Sequence, residues 1–303
     1  MFHGRLGSCQ HAALRSLCAV AILIVVVNLG VVAQNSQPAP SKDPKSTGKV
    51  PNAPTYSSSE LDLQSNRLAP RFKGNNIAVV AQQLLARTKQ GARSEFETTE
   101  QWKRRTTLLW SRPLVGNMTV KSVWAFVLEE VPSLYDADRQ ILNVHIPFFI
   151  PYFLGEPREE DIDRRRVMEA RTTEGTSRDY IGSNAFGTRV RVTESHSLTY
   201  NIGVDNWAEF VLVDDRYHQP TALNAAIQSE PTKARRIKDG LSAVVLCRLA
   251  EPFIVTDYHS SEATVDLPFA THHRMFNVIV KLIEVWFFDK ASGTILSKIV
   301  SSG

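Results

Sequence analysis

The sequence of this 303-residue chain predicts an α+β protein rich in β-strands, with a few N-terminal helices and antiparallel sheets packed as a sandwich. Two observations predict this fold class. Apolar residues recur at helical spacing between residues 75 and 110. After Met118 they alternate with polar residues or form short continuous runs, as strands do.

Residues 1–33 are predicted to be a signal peptide. Two arginines and no acidic residue precede or enter an apolar core over residues 17–33. Small residues stand where signal peptidase prefers them, which is compatible with cleavage before Gln34. The alternative is an uncleaved membrane anchor over residues 16–33, slightly short of the about 20 apolar residues that a spanning helix needs. In both cases we expect the folded part outside the cytoplasm, periplasmic or extracellular.

We expect residues 34–73 to form a disordered tether and residues 74–303 to form a single β-rich domain. The tether interleaves prolines with Ser, Lys, Asn and Gly up to about Ser59 and holds few residues that could join a core. Burial therefore cannot offset the entropy lost on ordering it.

Two helices are expected to open the domain. The first is capped by Asn75 or Asn76. The second has Thr98 as its N-cap and Gln101 three residues later, which is the spacing of a reciprocal capping box. A weaker candidate covers residues 156–171, where acidic residues precede arginines as the helix dipole favours. This last segment is either a surface helix or a charged loop.

Strands are expected to follow. Residues 119–131 and 141–150 are predicted to pair as a hairpin across a turn at 133–140. Further strands are predicted over 197–204, 207–213 and 241–249.

The C-terminal strand has the clearest pattern. Six of its apolar residues are predicted to share one face: Phe276, Val278, Val280, Leu282, Trp286 and Phe288. Gly293 can adopt the left-handed conformation in the loop that follows, so residues 294–300 should pair back. A short helix is expected upstream, with Pro231 near its first turn and Gly240 after its end.

The nearly neutral charge balance of the chain argues that its partner is not a nucleic acid. Of 35 Lys and Arg, two lie in the signal segment, so 33 basic residues face 31 acidic ones. A nucleic-acid binder usually carries a basic stripe. The short basic clusters at 103–105, 164–166 and 233–236 are better explained as solvated helix faces. We also expect membrane contact only through an uncleaved N-terminal segment.

One glycine pair resembles a phosphate-binding loop without matching it. Gly182 and Gly187 have the required spacing, but no lysine precedes Thr188, and the residues after it alternate as in a strand. A phosphate loop needs a helix there. We interpret the segment as a tight connection to which Asn184 is suited, with Phe186 packed against the core.

Imidazole and carboxylate side chains, which suit zinc, cluster in the C-terminal part of the sequence: His259, His272, His273, Asp257, Glu262 and Asp266. Their spacing matches no compact ligand pattern, and the adjacent His272 and His273 should point to opposite faces of a strand. We therefore expect no metal and no other cofactor, and interpret these residues as polar loop positions.

Neither a nucleophile nor a ligand groove is evident. Cys247 lies in an apolar run that predicts a buried, inert thiol. Aromatic stretches are expected to fill the core: residues 124–126, 148–153 and 286–288. The exception is the proline-broken segment 145–157, where exposed Phe149, Tyr152 or Phe153 would mark a partner or membrane-surface contact.

Three stretches resemble segments of an uncharacterised family of exported bacterial proteins: SEFETTEQWKRR at 94–105, YIGSNAFGTRVRVT at 180–193, and the closing segment 262–296. The resemblance implies a bacterial envelope or secreted setting and a single folded unit. It implies no activity and assigns no functional residue.

The sequence thus favours a non-enzymatic envelope protein with a binding or assembly role, whose partner is an unknown protein or envelope component. The alternative is a periplasmic hydrolase whose site assembles from distant loops. The catalytic residues are then unknown, with His259, His272 and Asp257 as the best candidates.

Overall fold

The computed structural model describes residues 56–149, 166–210 and 222–301. The helices are α1 (Ile77–Gly91), α2 (Thr99–Ser111) and α3 (Pro231–Lys238), with a 3-10 turn at Trp207–Glu209. The strands are β1 (Val123–Leu128), β2 (Ser133–Asp136), β3 (Ile141–Pro147), β4 (Arg166–Ser183), β5 (Arg189–Val204), β6 (Ala222–Gln228), β7 (Leu241–Ser261), β8 (Phe269–Asp289) and β9 (Ile295–Val300). Among the described residues, no helix is long and apolar enough to cross a membrane.

The strands form two sheets, which confirms a β-rich α+β fold. The larger sheet has the order β1-β7-β8-β5-β4, and β9 adds to β8. The smaller sheet has the order β2-β3-β6. Neighbouring strands are antiparallel except β5 and β8, which run parallel. The sheets are therefore mostly antiparallel, as expected, with one parallel pair.

Both sheets contribute side chains to one core. Helix α1 inserts Leu84, the small sheet inserts Leu142, and the large sheet inserts Trp124 and Phe287, all fully buried in the same cluster. Burial of such side chains stabilises a fold by roughly 1.5–3 kcal/mol each.

The opposite face of the large sheet is covered by the segment that precedes α1. Leu68 packs there with Trp286 and Phe288, and its backbone N–H donates to the Gly293 carbonyl at 2.8 Å. Residues 56–73, which we expected to belong to the disordered tether, therefore pack against the sheet instead. Scattered leucines and a phenylalanine allow this: Leu61, Leu63, Leu68 and Phe72.

Buried Asn75 joins this segment to the outer edge of the large sheet. Its Oδ1 accepts from the Ala125 backbone N–H at 2.7 Å, and its Nδ2 donates to the Ser57 carbonyl at 3.0 Å. Its own backbone N–H donates to the Ala125 carbonyl at 2.7 Å. Because β1 is an edge strand, these bonds satisfy backbone groups that would otherwise lack a partner there.

The helix predictions are confirmed where local signals set them. Asn76 caps α1, accepting from two backbone N–H groups, and Thr98 and Gln101 form the reciprocal capping box of α2. Pro231 opens α3. The weaker candidate over 156–171 is wrong in its last part, because residues from Arg166 onward belong to β4; residues 156–165 lie outside the described ranges.

The two strands predicted to form a hairpin, over 119–131 and 141–150, have other pairing partners. β1 pairs with β7, and β3 pairs with β2 and β6, so the expected hairpin across 133–140 does not form. Its expected turn contains β2, which pairs with β3 directly. Within the strand predicted over 207–213, Trp207–Glu209 is a 3-10 turn; residues 211–213 lie outside the described ranges.

An irregularity in β8 changes the predicted face of two aromatic residues. The pairing with β7 jumps from Leu282 to Glu284, which leaves Ile283 as an extra residue. A bulge of this kind inverts the alternation that follows it. Trp286 and Phe288 therefore lie on the opposite face from Leu282. The loop prediction is confirmed, since Gly293 has φ +74° and β9 pairs back on β8.

Candidate functional site

Strands β4, β5, β7 and β8 of the large sheet extend beyond the part in which β1 and β9 also pair. β1 pairs with β7 only up to Arg248, and β9 pairs with β8 only from Glu284 onward. Among the described residues, the remaining lengths of β7, β8, β5 and β4 pair with one another. We call residues 172–198 and 254–276 the arm.

The arm consists of two hairpins joined along a parallel seam. β4 and β5 form the first hairpin, and β7 and β8 form the second. The seam is the pairing of β5 with β8, which begins at Thr193 and Phe269. Strands of the two hairpins meet only along this seam within the described sheet.

The first hairpin ends in a turn at residues 184–188, within the segment that resembles a phosphate-binding loop in the sequence. Asn184 Oδ1 accepts from the backbone N–H groups of Phe186 and Thr188, both at 3.0 Å. Gly187 has φ +83°, which favours glycine at that position. A strand follows the turn, so the helix that a phosphate site needs is absent from this described segment. Gly182 lies within β4 and not in the turn.

The position of Phe186 differs from what the sequence predicted. Its side chain is 93% exposed, so it does not pack against the core as we expected. The turn is closed by Asn184 and needs no aromatic anchor. Five further large apolar side chains are exposed near the two hairpin ends, and with Phe186 they form what we call the arm tip: Tyr180, Ile181, Val265, Leu267 and Phe269.

One face of the arm carries a polar cluster centred on Glu194, which is 8% exposed. Its Oε2 accepts from Arg178 Nε at 2.7 Å. Its Oε1 lies 3.1 Å from His196 Nε2 and 3.3 Å from His272 Nε2. The hydrogen bond from Arg178 is the main reason why the pKa of Glu194 is lowered, so this carboxylate stays ionised. We call Glu194, His196 and His272 the Glu–His–His cluster.

The two imidazoles of the cluster are held side by side. Their rings stack with centroids 4.7 Å apart and an interplanar angle of 19°. His272 Nδ1 lies 2.6 Å from the Tyr258 hydroxyl, which leaves its Nε2 directed at Glu194. Tyr258 thus fixes the orientation of this ring.

The opposite face of the large sheet carries a buried ladder of polar side chains at the base of the arm. Asn201 Nδ2 donates to Asn277 Oδ1 at 2.9 Å, and Asn277 Nδ2 donates to Asp257 Oδ2 at 2.7 Å. Each of the three residues is buried. Burial raises the pKa of Asp257, because desolvation disfavours its charged form.

The histidines singled out in the sequence lie in strands, so their interpretation as loop positions is wrong. His259 belongs to β7, whereas His272 and His273 belong to β8; Glu262 and Asp266 do lie in the connecting loop. A strand carries adjacent residues on opposite faces.

This alternation separates the three catalytic candidates. His272 contacts Tyr258 and Glu194, while His273 Nδ1 lies 2.6 Å from Ser197 Oγ, which confirms their opposite orientation. His259 pairs across from His273. His259 and Asp257 therefore lie on the face opposite His272, and the three do not converge.

Glu194 and His196 on β5 were not among the candidate residues from the sequence, although their spacing indicated a shared face. Glu194 and His196 are two positions apart in a strand, which places both on one face. The pairing that brings His272 beside them joins residues far apart in sequence, and no local pattern reports it.

Buried aromatic residues confirm the core-filling prediction: Trp124, Phe126, Phe148, Trp286, Phe287 and Phe288. Phe149 is half-exposed, and Tyr152 and Phe153 lie outside the described ranges. Cys247 is fully buried, as predicted, and burial raises the pKa of its thiol well above the usual range.

A groove of about 1210 Å³ runs between α2 and the irregular part of β7. Trp110 and Phe253 meet in it with ring centroids 4.6 Å apart. Its described lining contains no histidine and one acidic residue, Glu251. Two basic residues, Lys121 and Arg248, also line it, so the groove is mixed in character around its aromatic pair.

No protein-family model, no curated protein and no solved structure matches the chain.

Proposed function

We propose that this protein is a non-enzymatic binding or assembly module of the cell envelope, which engages a protein partner through the arm tip. The observation that carries the proposal is the exposure of large apolar side chains at both hairpin ends. Phe186 is 93% exposed, and Ile181 and Leu267 are each 63% exposed. Grouped exposed apolar residues are typical of interaction surfaces.

The arm also offers backbone groups for a partner strand. β5 begins at Arg189 but pairs with β8 only from Thr193. In the described sheet, residues 189–192 therefore have β4 on one side and no strand on the other. An extended peptide can add to such an edge, with main-chain hydrogen bonds supplying affinity. Exposed Arg189 and Arg191 oppose self-association along the same edge.

The hydrolase alternative has weaker support. Its candidates His259 and Asp257 lie on one face of the arm and His272 on the other, so they cannot act together on one substrate. Acid–base catalysis needs its groups within hydrogen-bond reach of the reacting atoms.

Site-specific photo-cross-linking in the cells that make the protein tests the proposal. A photoreactive residue replaces Phe186 in one variant and Phe96, which is 89% exposed but lies outside the arm, in a matched control. We expect a discrete adduct from position 186, reduced by Leu267→Asp, and none of that mass from position 96. No adduct at 186, or the same adducts at both positions, contradicts the proposal.

A further inference from the structure

We propose that the Glu–His–His cluster binds a divalent late transition-metal ion, with Zn²⁺ the ion that suits its donors, and that the ion clamps the two hairpins of the arm together. Two imidazoles and one carboxylate are a common ligand set for such ions. These ligands differ from the histidines and acids weighed in the sequence, whose spacing matched no ligand pattern; only His272 belongs to both groups.

The distances within the cluster suit a metal ion. One donor atom from each of the three residues lies within 4.8 Å of the others. The two imidazole Nε2 atoms are 3.1 and 3.3 Å from the same carboxylate oxygen. Two donors bound at about 2.0–2.1 Å, with angles between octahedral and tetrahedral, stand about 2.9–3.4 Å apart. An ion beside Glu194 Oε1 can therefore reach both rings with small side-chain rotations.

Neighbouring side chains hold the donors in place. Tyr258 lies 2.6 Å from His272 Nδ1, so a proton on that nitrogen leaves the Nε2 lone pair for the ion. Arg178 occupies Glu194 Oε2, so Oε1 is the carboxylate oxygen that faces the two imidazoles. Metal-binding histidines and carboxylates usually have such outer partners. The charge of Arg178 opposes a cation, but its side chain is 72% exposed and is screened by solvent.

The position of the cluster gives the ion a structural role. Glu194 and His196 come from β5, and His272 comes from β8, so the ligands span the parallel seam. A bound ion would link the hairpins by bonds that do not depend on the backbone pairing. His196 is 47% exposed in its side chain, which leaves room for a water molecule or a further ligand at the ion.

Calorimetric titration of the purified chain with Zn²⁺ alone tests the site. We expect one saturable equivalent, abolished or weakened at least tenfold by His196→Gln or His272→Gln. His259→Gln is the matched control, because His259 is an exposed histidine on the opposite face of the same arm. Tyr258→Phe should weaken binding by about 10–100-fold, the usual effect of losing an outer partner.

A second readout separates a clamp from unspecific binding. Zn²⁺ should slow amide hydrogen exchange along both sides of the seam, at residues 193–198 and 269–276, in the wild type and in His259→Gln but not in His272→Gln. Circular dichroism in EDTA checks that each variant folds as the wild type does. Three results overturn the proposal: no saturable binding by folded wild type, equal loss in His259→Gln, or unchanged exchange at the seam. The first would leave the cluster as a hydrogen-bonded carboxylate–imidazole group only.

Discussion

Asn75→Ala is the substitution for which the structure gives the most definite stability effect. It leaves the buried Ala125 N–H without its acceptor at 2.7 Å, and the Ser57 carbonyl without its donor at 3.0 Å. An unsatisfied buried group costs about 1–3 kcal/mol. Ser57 is only partly buried, so water can replace its lost donor. We therefore expect a loss of about 2 kcal/mol in the free energy of unfolding, dominated by Ala125.

Guanidinium unfolding followed by the fluorescence of the five tryptophans measures this loss. The midpoint should fall while the denaturant slope stays unchanged, since the folded structure keeps its extent. Asn143→Ala is the control, because Asn143 is exposed in β3 and should change stability by less than about 0.5 kcal/mol. If Asn75→Ala falls within that same range, the bond to Ala125 does not hold the edge strand as we argue.

The remaining predictions concern single residues. Because burial raises the pKa of Asp257, its contribution to stability is present at low pH and is lost as the pH rises through that pKa. Asp257→Asn should therefore gain stability relative to wild type at about pH 8 and much less at about pH 4; equal differences at both pH values would contradict the assignment. Phe186→Ser should change the free energy of unfolding by less than about 0.5 kcal/mol, because the side chain is 93% exposed; a larger loss in thermal denaturation would show that it packs. The Cys247 thiol should react with a thiol reagent only after denaturation, and labelling of the folded protein would refute its burial. N-terminal sequencing of the mature protein should begin at Gln34, whereas an intact N-terminus would support an anchor.

Helices were predictable because their signals are local. The Thr98 side chain and the Gln101 side chain lie within one turn, and their reciprocal bonds can be read from spacing alone. Asn184 similarly predicted a turn, and its own side chain closes that turn by accepting two backbone hydrogen bonds. In each case, the residues that decide the structure are within four positions of one another.

Strand partners and the cluster were not predictable in this way. β1 and β7 are antiparallel neighbours although more than a hundred residues separate them. The sequence of neither strand indicates that the other is its pairing partner. The extra residue Ile283 inverts the face of Trp286 without any change in the apolar character of the strand. Convergence of Glu194 with His272 likewise depends on which strands meet, and alternation within one strand cannot report that.

The parallel seam also has a consequence for synthesis of the chain. Ser197 and His273, which bond across it, are 76 positions apart. At about 5–20 residues per second, each seam residue of β5 is made roughly 4–15 s before its partner in β8. During that interval the seam edge of β5 is open, and an open strand edge recruits other chains. Docking of the second hairpin closes this edge, so we expect a chain truncated before β8 to be prone to aggregation.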